Sequence, residues 1–167
     1  MTSSFKRLAL TTLSISLYGV AIGVAMSAFN NFLSDSYRLN PDTRGWLELP
    51  REFPGFMTSV TASLFFFLSD RRMAILASSI AAFGQLMMVS AGSVFSFMIL
   101  FMMIWSVGDH LYFPVKSALV LACSREENRG RILGMTGSFE VAGIILGGVI
   151  TRFLAPRADG YFLMFAV

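Results

Sequence analysis

Two long stretches without a charged residue constrain this chain more than any other feature. Residues 8–34 form a 27-residue run without Asp, Glu, Lys or Arg, and residues 73–108 form a second run of 36. About 20 apolar residues are enough to carry a helix across the ~30 Å hydrocarbon core of a bilayer. The first run is therefore one span. The second is too long for one, and Ser90-Ala91-Gly92-Ser93 near its middle supplies the small, polar residues of a tight turn between two. Across all 167 residues 55% are apolar and 14% are charged, a balance rarely met in a water-soluble domain of this length. The fold class that follows is all-α, a polytopic membrane helix bundle.

Hydrophobic runs bounded by charged turns predict spans over residues 8–33, 46–69, 73–91, 94–123 and 131–154, with a sixth beginning at 160. The residues from Tyr161 to Val167 rise only about 10 Å as helix, so 160–167 reads as an incomplete span and the chain as the first half of something longer. The opening run exceeds the 7–15 residues of a signal-peptide core and is expected to be retained. Lys and Arg favour the cytoplasmic side. If the N-terminus is cytoplasmic, the inner segments hold Lys6, Arg7, Arg71, Arg72, Arg125, Arg129 and Arg131, and the outer ones Arg38, Arg44, Arg51, Arg152 and Arg157. The bias places the N-terminus inside, in an integral protein of the plasma or inner membrane.

Composition also excludes function classes. The net charge is +3, but the basic residues lie at span ends and not on one soluble surface, which argues against nucleic acid as a partner. A single Cys123 and a single His110 leave no internal disulfide, no multi-histidine metal site and no nucleophile–base pairing. No metal, cofactor or catalytic residue is expected, and the chain does not read as an enzyme.

Ionisable groups inside a membrane span are costly and point to function. Four stand out: Asp109, His110 and Lys116 in the fourth span, and Glu140 in the fifth. Asp109 and Lys116 are seven residues apart and share a helix face about 10 Å apart along the axis. Tyr112 and Phe113 lie between them, giving a polar and aromatic stripe suited to a water-filled cavity or to satisfying neighbouring spans. Lys116 and Glu140 fall at similar depths on adjacent antiparallel spans, which predicts an ion pair or a water-bridged pair. Tyr18, Ser14, Ser16, Asn30, Asn31 and Gln85 are further polar candidates for cavity contacts. Glu48, Arg51 and Glu52, interleaved with Pro50 and Pro54, read as an outer entrance or as a solvated helix start. Gly19, Gly23 and Ser27 in the first span, and Gly143 and Gly147 in the fifth, recur every fourth residue and let helix backbones approach closely in lipid.

The stretch from Gly108 through Pro114, Arg129-Gly130-Arg131 and Gly143 to Gly148, together with the short turn Leu68-Ser69-Asp70-Arg71, resembles the major facilitator superfamily. Span order and loop lengths are similar over the whole chain. The resemblance implies an N-terminal six-helix half built as a 3+3 inverted repeat, a missing C-terminal half, and a fourth helix that lines a solute cavity. It also implies an inner gate at Asp70, Arg71 and Arg129. The signature between the second and third helices departs from pattern at Phe66, Met73 and Ala74. The antiporter pattern departs at Ile104 and Ile144, so drug–proton antiport is not implied. The expected function is a secondary active transporter or permease, working by symport or antiport. It would move a small solute across a lipid membrane by alternating access, with proton coupling through Glu140, Asp109 or His110. The alternative is a non-transporting membrane scaffold or a half-length protein that dimerises; the reading frame after Val167 separates the two.

Overall fold

The computed structural model describes residues 3–90, 94–154 and 160–166, and every described element is helical. Helices α1 (Ser3–Tyr37), α4 (Asp70–Ser90), α5 (Phe95–Ala122) and α6 (Arg129–Leu154) are the long ones, with α2 (Pro41–Phe56), α3 (Thr58–Leu64) and α7 (Gly160–Phe165) between and after them. A 3-10 turn, Glu126–Asn128, leads into α6. Among the described residues four helices, Phe5–Tyr37, Asp70–Ser90, Phe95–Ala122 and Glu126–Phe153, are long and apolar enough to cross a membrane. Large apolar side chains stand exposed along them, among them Leu10, Leu17, Phe83, Ile145 and Phe153. Such a surface suits an integral membrane protein, whose outer face meets lipid and not water.

The second span expected from sequence is not one helix. Asn40 caps α2, its side-chain oxygen accepting the Thr43 amide at 2.7 Å, and Pro41 occupies the first turn. The helix thus starts five residues before the expected position, and Pro50 and Pro54 fall in its interior, where each lacks an amide donor for the ladder. The helix stops at Phe56, two residues after Pro54. The Met57 amide then bonds the Pro54 carbonyl at 3.1 Å, and the Thr58 hydroxyl bonds the Gly55 carbonyl at 2.7 Å, before α3 resumes for two turns. The third span begins at Asp70 and not at Met73, because Asp70 through Arg72 form its first turn. The first span extends in both directions, to Ser3 and Tyr37; it ends where Arg38 takes a left-handed conformation (φ 50°) and its amide bonds the Ser34 carbonyl at 3.0 Å. The expected turns at residues 91–93 and 156–159, with Arg157, and the terminal Val167 lie outside the described residues.

Two helix pairs organise the bundle. Helices α1 and α6 run parallel. A methyl group placed on Gly23 would meet the Ile144 carbonyl oxygen at 2.1 Å, and one on Gly147 the Val20 carbonyl oxygen at 2.2 Å. Helices α4 and α5 run antiparallel with Gly84 against Trp105 and Gly108 against Ala77 and Ala81. Backbones this close exclude any side chain and give the van der Waals contact that replaces hydrophobic drive in lipid. Contacts of Arg44 with Asn30 and of Arg51 with Met26 set α2 antiparallel to α1. The main core joins Val24, Ala28, Phe29 and Phe32 of α1 to Met88, Met98, Met102 and Trp105 of α4 and α5, with Met164 and Phe165 of α7.

Candidate functional site

The candidate residues fall into two clusters along α5, and the repeat of that helix sets the order. Nearer the C-terminal end of α1, α2 packs on α5 where Gly55 offers no side chain: a methyl group there would stand 2.6 Å from His110 Nε2. Arg51 pairs with Glu48 at 2.5 Å and with Glu52 at 2.8 Å. Glu52 Oε2 lies 3.6 Å from His110 Nε2. The other ring nitrogen, Nδ1, faces the Ser106 carbonyl at 2.9 Å and the Ser106 hydroxyl at 3.1 Å. That hydroxyl donates to the Arg51 carbonyl. Glu48, Arg51, Glu52 and His110 therefore form one polar junction between α2 and α5.

The second cluster joins α1, α5 and α6. The Tyr18 hydroxyl donates to Asp109 Oδ1 at 2.5 Å, and the Tyr18 ring stacks on Tyr112 with centroids 3.9 Å apart and planes 30° from parallel. One turn further along α5, Lys116 contacts the Glu140 carboxylate of α6 directly. Their side chains are 18% and 13% exposed, so the pair lies inside the bundle. The Lys116 ammonium also stands 4.9 Å from the centre of the Phe113 ring, within the range of a cation–π contact. Beside the pair is a cleft of about 80 Å³ lined by Ile15, Lys116, Ser117, Thr136 and Glu140, among others.

Asp109, Tyr112, Lys116, Glu140 and Tyr18 are thus brought together across three helices. His110 points away from them, toward α2. Asp70 and Arg71 are exposed in the first turn of α4. Arg129 pairs with Glu126 at 3.4 Å on the exposed turn before α6, and no ion pair joins it to Asp70 among the described residues. Ser14, Asn30 and Asn31 are exposed, the Ser16 hydroxyl bonds back to the Thr12 carbonyl at 2.8 Å, and Gln85 is buried in the α4 core. Ser106 and Thr136 were not singled out by sequence. Ser106 carries a readable signal, four residues before His110 and so on its helix face; the role of Gly55 becomes visible only once α2 is docked.

No match is found to this chain among protein-family models, curated proteins or solved structures.

Proposed function

We propose that the chain is the N-terminal half of a major-facilitator-type secondary transporter that moves a small solute across the membrane by alternating access. One observation carries the reading: Lys116 and Glu140, charged and largely buried, meet between two apolar helices beside the Tyr18–Asp109 bond. Charges within spans are tolerated where they pair or face a cavity, and they mark solute and ion pathways. Transporters of this kind place the solute between helical halves and rock one half against the other. In this reading α1, α5 and α6 form the solute-facing wall, and the junction of α2 with α5 closes one end. The 3+3 inverted repeat, the cytoplasmic N-terminus and the inner gate at Asp70, Arg71 and Arg129 belong to the same proposal. Proton coupling through Glu140, Asp109 or His110 belongs to it too, with Lys116 as the partner of the Glu140 carboxylate.

The test is uptake into proteoliposomes of the complete reading frame, screened over small organic cations, anions and neutral solutes with and without an imposed pH gradient. The expected result is uptake of one solute class that follows the gradient, with the coupling lost in Glu140→Gln. Uptake no faster than in empty vesicles for every class contradicts it.

A second reading, a half-length protein that dimerises, draws on α6. Gly130, Gly134, Ser138 and Ala142 form an exposed small-residue stripe on that helix, and nothing lies within 4 Å of a methyl group placed on Gly130 or Gly134. A C-terminal half and a second copy would both cover such a stripe. A reading frame with six further spans after Val167 favours the transporter.

A further inference from the structure

The polar junction between α2 and α5 contains a ring nitrogen whose partner depends on its proton. His110 Nδ1 stands 2.9 Å from the Ser106 carbonyl and 3.1 Å from the Ser106 hydroxyl. The carbonyl can only accept, and the one proton of the hydroxyl already goes to the Arg51 carbonyl. Nδ1 must therefore carry the ring proton, which leaves Nε2 bare in the neutral imidazole. That bare nitrogen faces Glu52 Oε2 across 3.6 Å, beyond hydrogen-bond reach. Two lone pairs then oppose each other. A second proton on the ring turns the same contact into a charge-assisted hydrogen bond. Arg51 does not occupy the position, because it holds the other carboxylate oxygen, Oε1, at 2.8 Å. The His110 and Glu52 side chains are 24% and 47% exposed, so a proton can reach them.

We propose that His110 is a proton-operated latch: protonated, it donates from Nε2 to Glu52 and holds α2 on α5; neutral, it releases α2. The helix it holds can move as a unit. It ends at Phe56, and Met57 separates it from α3. Pro50 and Pro54 each remove an amide from its ladder, and Gly55 lets its end close on the imidazole with no side chain between them. The other charged groups around the ring have partners of their own. Arg51 and Glu48 of α2 pair with each other. Asp109, the residue before His110 on α5, accepts from Tyr18 of α1. Lys116 of α5 and Glu140 of α6 pair with each other. Helix α3 has no ionisable residue, and Asp70, Arg71 and Arg72 are exposed in the first turn of α4. Imidazole is the side chain that ordinarily changes charge between about pH 5 and about pH 8. Docking of α2 is therefore strong at the acid end of that range and weakens as pH rises. Closure of one end of a solute path by this latch rests on the transporter reading; the docking of α2 does not.

The experiment uses the complete reading frame, purified in detergent with a tag that contains no histidine. Nitrogen NMR of the ¹⁵N-histidine-labelled protein reads the ring, the His110 signals being those lost in His110→Gln. In the neutral ring the proton is expected on Nδ1. Docking is read separately, by maleimide labelling of Leu47→Cys with Cys123 and any other cysteine replaced by Ser. Leu47 is a buried residue of α2, 5% exposed, whereas its neighbour Trp46 is 71% exposed. Dividing the labelling rate at Leu47→Cys by that at Trp46→Cys cancels the pH dependence of the thiol itself. The ratio should rise about tenfold between about pH 5 and about pH 8, the scale of one charge-assisted hydrogen bond. His110→Gln should make it flat. Glu52→Gln should keep it low throughout, because the amide can donate to the bare Nε2. A neutral ring protonated on Nε2 overturns the proposal, since that tautomer would bind Glu52 at every pH. So does a ratio that stays flat or falls as pH rises with His110 intact, or a rise that survives His110→Gln. Neither readout involves transport, so failure of the latch leaves the transporter reading standing, and absence of uptake leaves the latch standing.

Discussion

Removing one member of a buried ion pair leaves the other charge unpaired, at a cost of about 3–5 kcal/mol in protein interiors, whereas replacing both with apolar groups is often neutral. Lys116 and Glu140, 18% and 13% exposed, are subject to that asymmetry. Lys116→Met and Glu140→Leu should each destabilise the purified chain by about 3 kcal/mol, and the double variant should regain most of the loss. Denaturation in detergent followed by circular dichroism reads this directly; additive losses in the double variant contradict the pairing. Arg38 offers a second residue-level test. Its φ of 50° is costly for a residue with a β-carbon, and Arg38→Gly should stabilise by about 1 kcal/mol on the same assay. The ion pair was legible in the sequence, because depth along two antiparallel spans can be counted from their charged ends. The Tyr18–Asp109 bond was not, since it depends on which face of α1 meets α5, and α1 is apolar on almost every side.

At the scale of elements the glycines separate into two kinds. Gly23 and Gly147 lie against backbone, where a β-carbon would fall within 2.2 Å of a carbonyl oxygen, whereas Gly134 faces open space. Gly23→Ala and Gly147→Ala should force α1 from α6 and destabilise by about 1–3 kcal/mol, the usual cost of overpacking. Gly134→Ala should gain up to about 1 kcal/mol from helix propensity. Melting temperatures of the three variants side by side test this, and an equal loss in all of them counts against the α1–α6 register. The small-residue spacing was readable and its partner was not: periodicity identifies a packing face without naming the helix that occupies it. The break between α2 and α3 was missed for a related reason. Pro50 and Pro54 read as a helix start because the Asn40-Pro41-Asp42 cap lies between the spans that charge spacing predicts. With the cap in place, the same prolines fall inside the helix and end it.

At the scale of the molecule, length, apolar content and charge spacing were sufficient for an all-helical membrane bundle, because a bilayer admits few alternatives to helices of about 20 residues. They could not supply the solute, since a cavity's selectivity depends on the geometry of a few side chains and not on composition. The central claim is that the cleft beside Lys116 and Glu140 opens alternately to the two sides of the membrane, and it can be tested without knowing the solute. Ser117 lines that cleft, and Cys123 is the chain's single cysteine. In the complete reading frame, with Cys123 and any other cysteine replaced by Ser, Ser117→Cys is labelled with a membrane-impermeant maleimide in right-side-out and in inside-out vesicles. The account predicts labelling from both faces. Labelling from one face only, or from neither, contradicts it.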